Sequence, residues 1–306
     1  QGTGSTIALT VAASNPTATV LDDVISSTGA FMQNSTIDGG AGRDSLTITG
    51  ATTAAAFTAA TTLALAAGAD TATVTNVEVI NFSGNTGGIL TMPATAALAV
   101  TNTSAINAST VTMGAGIGQT FTANAASSVG ANTIVLAGAS QSVTTATTGL
   151  TTVAMGGGIG NTVSVSGTGG VTISALGGAA TQSVTNTGTG VSTLVATGLA
   201  FTATLGSASD SVTLPTGAVT ATIAASTGTD SLFAVNGTNI AGATVSGFEV
   251  LNTTDGAAST LVTMTPTQLA QFTGTNVAPD AGDRVVLSTA GTVGQVLVVP
   301  GYTLAA

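Results

Sequence analysis

A short polar-to-hydroxyl pattern recurs along this chain every 20 to 22 residues. It reads Gln119-Thr120-Phe121-Thr122, Gln141-Ser142-Val143-Thr144, Asn161-Thr162-Val163-Ser164 and Gln182-Ser183-Val184-Thr185, in steps of 22, 20 and 21. The same slot is read with Asp in Asp44-Ser45-Leu46-Thr47, Asp210-Ser211-Val212-Thr213 and Asp230-Ser231-Leu232. Self-similarity at such a period marks a stack of supersecondary units, each burying its apolar face against its neighbours. The expected fold is therefore all-β: a parallel β-solenoid (β-helix or β-roll) with coils of about 20 residues. One short helix interrupts it near Thr265–Phe272, where Thr265 can cap, Pro266 suits the first position and Gln268 falls at capping-box spacing.

Composition bears on this reading at two points. The apolar 43% of the 306 residues is mostly Ala and Val, with only 8 Phe and no Trp. That stock fills the narrow interior of a coil stack better than a thick globular core. Charge is the second point. Ten Asp, two Glu and two Arg are the only charged side chains, and the net charge is −10. Such a chain has nothing to neutralise nucleic-acid phosphates or to hold an anionic membrane surface. No run of 18 apolar residues suggests a transmembrane helix. The lack of Lys, Cys and His, in a Thr/Ser/Ala/Gly background, reads as a secreted, protease-resistant protein. A start at Gln1 without Met reads as a processed or truncated form.

Three regions are expected. Residues 1–92 form an N-terminal β region with a calcium-type turn, and an Ala/Thr run at 52–67 is open to strand or short helix. Residues 93–209 form a charge-free solenoid, within a stretch (79–209) that holds no charged side chain. Residues 210–306 return to acidic turns, the short helix and terminal strands around Pro300-Gly301. In the middle region the amides at 119, 141, 161 and 182 are open to two readings. They are either a ladder bonding from coil to coil without a cation, or ordinary surface polar groups.

Gly39-Gly40-Ala41-Gly42-Arg43-Asp44-Ser45-Leu46-Thr47 matches G-G-x-G-x-D-x-U-x, with U a large apolar residue. Glycines permit φ > 0, so carbonyls can turn toward a cation, and the Asp supplies the hard anionic oxygen that Ca²⁺ takes. The turn at Asp44, with Asp38, Gly40, Gly42 and Asp70, is the expected Ca²⁺ site, and Asp210 and Asp230 are weaker ones. For Asp210 and Asp230 an Asx-turn bonding its own backbone is the competing reading. Asp22-Asp23 is open between a metal site and a solvated loop.

The nonapeptide resembles the repeat of RTX proteins, which are secreted by the type I route and bind calcium. Two further stretches, Asn76-Val77-Glu78-Val79-Ile80-Asn81 and Gly247-Phe248-Glu249-Val250-Leu251-Asn252, share one form. In this background the combination is similar to RTX-type bacterial surface-layer and extracellular filament proteins. The resemblance implies calcium-stabilised assembly outside the cell.

Without His or Cys the usual nucleophile–base arrangements are missing, and two Arg and one Tyr are poor equipment for gripping a sugar chain. The chain is therefore expected to be no enzyme. The expected role is a secreted structural protein forming a homopolymer, with cell-surface polysaccharide as a further partner. An adhesin or carbohydrate-binding stalk is the alternative, and a polysaccharide-acting β-helix enzyme a more distant one. The β-rich, nearly neutral segments Gly4–Val11 and Val293–Val299 are candidate assembly edges.

Overall fold

The structure, a computed structural model, describes residues 4–50, 54–57, 62–65, 71–83, 88–92, 98–102, 109–123, 131–177, 182–253, 260–272, 284–289 and 292–295. It is a β-solenoid of mostly parallel strands in stacked turns of about 21 residues. Two compact units divide it. The first holds Gln1–Val153 with Gly167–Gly169, the second Ala154–Ser166 with Gly170–Ala306.

In the first unit one sheet runs through Thr6–Ala8, Val24–Thr28, Ser45–Thr49, Val79–Ser83, Ala99–Asn102, Thr120–Ala123 and Ser142–Thr145, neighbour to neighbour and parallel throughout. Strand alternation sends every second side chain inward. The register aligns Ile25, Leu46, Ile80, Val100, Phe121 and Val143 in one buried file, each at most 2% exposed. From the second sheet Val111, Met113, Ile134 and Leu136 close the interior, equally buried. The Ala/Thr run contributes strands Ala54–Phe57 and Thr62–Leu65 rather than a helix. Thr62–Leu65 pairs antiparallel on both sides, so the run is inserted within the second sheet as a reversal of direction.

The second unit repeats the plan with strands Thr162–Val165, Gln182–Asn186, Phe201–Thr204, Thr222–Ala224 and Thr244–Ser246 in one sheet. Val171–Leu176, Ser192–Ala196, Ser211–Leu214, Ser231–Ala234 and Val250–Asn252 form the other. A third sheet adds Gly217–Ala218, Thr238–Asn239, Leu261–Met264, Arg284–Thr289 and Thr292–Gln295, the last pair antiparallel. The helix forms at Pro266–Ala270. Its capping box is complete, with Thr265 Oγ1 accepting from Gln268 N–H at 3.1 Å and Gln268 Oε1 accepting from Thr265 N–H at 2.8 Å. Gln268 also donates to the Ile240 and Ala243 carbonyls at 2.7 and 2.8 Å, which fixes the helix to the stack. A second helix, Gly29–Met32, is a single turn that the sequence pattern did not suggest. The turn at Pro300-Gly301 lies outside the described residues.

One expectation is corrected. Asp210 and Asp230 do not continue the slot occupied by Asn161 and Gln182. They precede strands of the opposite sheet, Ser211–Leu214 and Ser231–Ala234. The step of 28 residues from Gln182 to Asp210 is a full coil plus the crossing to the second sheet.

Candidate calcium turns and the side-chain ladders

Several coils enter a sheet through a residue whose side chain reaches to the coil before it. Near the N-terminus these are acids. Ser5 N–H donates to Asp23 Oδ1, Asp23 N–H to Asp44 Oδ1 at 2.7 Å, and Asp44 N–H to Glu78 Oε2 at 2.8 Å. Glu78 and Val79 return the contact by donating to the Asp44 carbonyl, both at 3.1 Å. The second unit builds the same staircase on its other sheet. Ser192 N–H donates to Asp210 Oδ1 at 2.5 Å, Asp210 N–H to Asp230 Oδ1 at 2.7 Å, and Asp230 N–H to Glu249 Oε2 at 2.8 Å. Glu249 and Val250 likewise donate to the Asp230 carbonyl. The two shared E-V-[IL]-N stretches thus have one physical account. A residue with positive φ, Asn76 or Gly247, turns the chain two positions before a Glu that ends the staircase.

Glycine in the turn at 39–42 is required by stacking. A Cβ on Gly40 would sit 2.4 Å from the Thr19 carbonyl oxygen, and one on Gly42 2.7 Å from the Leu21 carbonyl carbon; both have φ in the left-handed range, +83° and +134°. Asp38 is exposed; its Oδ1 accepts from Gly40 N–H at 3.1 Å and from the Asn76 amide at 2.8 Å, an Asx-turn. Asp44, at the far end of the same turn, is fully buried. Asp70 lies outside the described residues. Asp22 accepts from Arg43 N–H at 2.8 Å, whereas Asp23 is a buried rung, not part of a solvated loop.

A carboxylate accepts and cannot donate. Asp23 has both oxygens occupied, because Thr19 adds its N–H to Oδ2 at 2.6 Å and its hydroxyl to both oxygens. The other three Asp rungs do not: Oδ2 of Asp44, of Asp210 and of Asp230 is buried without a hydrogen-bond partner. Burial pushes Asp44, Asp210 and Asp230 above the ordinary Asp value, partly offset by the N–H of the preceding rung. The charges of Glu78, Asp23 and Asp22 add to the rise at Asp44, that of Asp230 at Asp210, and that of Glu249 at Asp230. At Asp23 burial works upward too, but the Thr19 and Ser5 donors together outweigh it and hold the group low. The Asn76 amide and Gly40 N–H hold Asp38 low. Among the described residues no three acids cluster closely enough to cage a metal by side chains alone. Ca²⁺ on Asp44, Asp210 or Asp230 would therefore draw its remaining oxygens from backbone carbonyls and water, as hard-cation sites do.

The amide rungs are of a different kind. Gln119, Gln141, Asn161 and Gln182 are all fully buried, which excludes the surface reading. Gln141 donates to the Gly114 and Gly116 carbonyls at 2.7 and 3.1 Å and to Gln119 Oε1 at 3.2 Å, and accepts from Gly138 N–H at 2.9 Å. Gln182 donates to the Gly156 and Gly158 carbonyls at 2.7 and 3.1 Å and accepts from Gly177 N–H at 2.6 Å. Amide-to-amide stacking thus occurs at Gln119–Gln141, while Gln182 bonds the preceding turn's backbone. At the crossing between sheets, Asn186 plays a similar part unforeseen from the sequence. It donates to Gly190 O and Ser192 Oγ and accepts from Gly188 N–H.

Comparison of the chain with protein-family models, curated proteins and solved structures finds no match in any of the three. What the fold and ladders define is a class, the β-solenoid stapled along its length by buried side chains.

Proposed function

We propose that this chain is a secreted structural protein that self-assembles into a surface layer, sheath or extracellular filament, with Ca²⁺ at its acidic turns. The observation that carries the reading is the set of three buried carboxylate oxygens, on Asp44, Asp210 and Asp230, that lack a partner. Buried ionised groups are costly unless paired or metal-bound, and the only two Arg in the chain are at 43 and 284. Ca²⁺ at these turns supplies the missing charge and converts a strained staircase into a closed one. Assembly is supported by the sheet ends. Among the described residues, Thr6–Ala8 has one strand neighbour in its sheet, as do Thr244–Ser246 and Val250–Asn252 in theirs, and unpaired strand edges invite another chain. The RTX resemblance of residues 39–47 points the same way. Electron microscopy and sedimentation of purified protein, with millimolar Ca²⁺ and with chelator, test this together. Ordered polymers in Ca²⁺ that disperse in chelator are expected. Monodisperse monomers under both conditions would sink the proposal.

A further inference from the structure

Alternation that sends Val163, Val184, Ala203 and Ile223 inward sends their neighbours out. On that sheet of the second unit, two outward files run across five strands. The first is Thr162, Ser183, Thr202, Thr222 and Thr244; the second is Ser164, Thr185, Thr204, Ala224 and Ser246. Nine of these ten positions carry a hydroxyl, all are exposed or half-exposed, and among the described residues none of the nine hydroxyls is hydrogen-bonded. Every strand pair keeps its register without a bulge. A hydroxyl-rich composition does not explain this by itself. The corresponding files of the opposite sheet are broken by Val195, Phe233, Val250 and Asn252, and a register shift lies between Ile173 and Leu176.

The hydroxyls therefore occupy a net of about 4.8 Å between strands by about 6.6 Å along them. Water in ice hydrogen-bonds tetrahedrally at about 2.75 Å, which sets second neighbours ~4.5 Å apart and the two-layer repeat at ~7.3 Å. The two nets agree to about a tenth in each direction. No charged side chain interrupts the face, so no tightly held hydration shell has to be stripped from it. Threonine in a rigid strand loses little side-chain freedom when its hydroxyl is fixed. A second copy of the chain is the weaker occupant. The face measures roughly 24 by 13 Å, on the order of 300 Å², against the ~800 Å² per partner typical of a stable protein contact.

We propose that these two Ser/Thr files bind the surface of ice, ordering water into the crystal lattice across the sheet. This activity is independent of the calcium and assembly reading. The test is thermal hysteresis and crystal shaping in a nanolitre osmometer on the full chain, with folding checked by circular dichroism. The parent should facet ice crystals and delay their growth. Thr202→Lys/Thr222→Lys should lower hysteresis at least tenfold. The milder Thr202→Val/Thr222→Val, which keeps the shape and the strand preference, should lower it severalfold. Thr193→Lys/Thr213→Lys on the opposite sheet should leave it unchanged. A folded parent that leaves ice unshaped overturns the proposal, as does equal loss from substitutions on the opposite sheet. Loss of self-association in place of ice shaping would reassign the face to contact between copies.

Discussion

Replacing Gln141 separates the two kinds of rung in one experiment. Gln141→Leu keeps the volume and removes the amide. Three fully buried bonds are lost, from Gly138 N–H, to the Gly116 carbonyl and to Gln119 Oε1, while the part-buried Gly114 carbonyl can turn to water. Leaving two buried backbone groups unpaired costs about 2 kcal/mol each, or ~4 kcal/mol. Burial of the leucine side chain returns about 1–2 kcal/mol, so the net loss is about 2–3 kcal/mol. At about 2–4 °C per kcal/mol for a unit of this size, the melting temperature should fall by roughly 5–10 °C in calorimetry. Gln141→Glu keeps the acceptor for Gly138 but aims an oxygen at two carbonyls. Its buried carboxyl has a folded pKa above the usual Glu value of about 4.3. It should resemble the parent in mild acid, where a proton restores one donor, and lose stability as pH rises through its raised pKa. A Gln141→Leu chain melting within ~2 °C of the parent, or a Gln141→Glu chain equally stable in acid and at pH 8, would refute the reasoning.

The native acids set a pH dependence of their own in chelator. Asp44, Asp210 and Asp230, held high by burial, contribute stability that is full below the ordinary Asp value and lost as pH climbs through their raised pKa values. Asp23 and Asp38, held low, contribute stability that is lost as pH falls through theirs. The melting temperature in chelator should therefore peak in mild acid and decline toward pH 8, and a rise over that range would contradict the ladder. Millimolar Ca²⁺ at neutral pH should remove most of that decline, since saturation to 100 times Kd adds about 2.7 kcal/mol. In Asp230→Asn the calcium-induced shift should shrink, and identical shifts in the two proteins would clear Asp230 of a ligand role. Gly40→Ala should lower the melting temperature by several degrees, because its Cβ meets the Thr19 carbonyl at 2.4 Å in a left-handed conformation; an unchanged melt would show that the turn yields easily.

Legibility followed the range of the interaction. The alternating files and the helix at Pro266–Ala270 depend on neighbours within a few residues, and both could be read directly. The amides at 119 and 141 were readable as a ladder because their spacing equals one coil. Asp23 was not, since its donors sit at Ser5 and Thr19 and its own N–H is spent on Asp44, three segments with no common sequence pattern. The placement of Asp210 and Asp230 failed for a related reason. Two sheets share one period, so the repeat shows the coil length but not which sheet a slot opens. The reversal at Thr62–Leu65 lay in an Ala/Thr run with no alternation to mark it. The Glu residues at 78 and 249 were visible as a shared form, yet their task exists only once coils are stacked.

The direction of the rungs carries a consequence for a chain made from its N-terminus onward. Asp44 reaches down to Asp23, Gln141 to the turn at Gly114–Gly116, Gln182 to that at Gly156–Gly158, and Asp230 to Asp210. In every case the later coil supplies the side chain and the earlier one offers a main-chain group already in place. Each of these four loops of chain arrives carrying a clasp that fastens it to structure already formed. A chain made from its N-terminus onward can therefore wind up coil by coil, like rope stowed from one end.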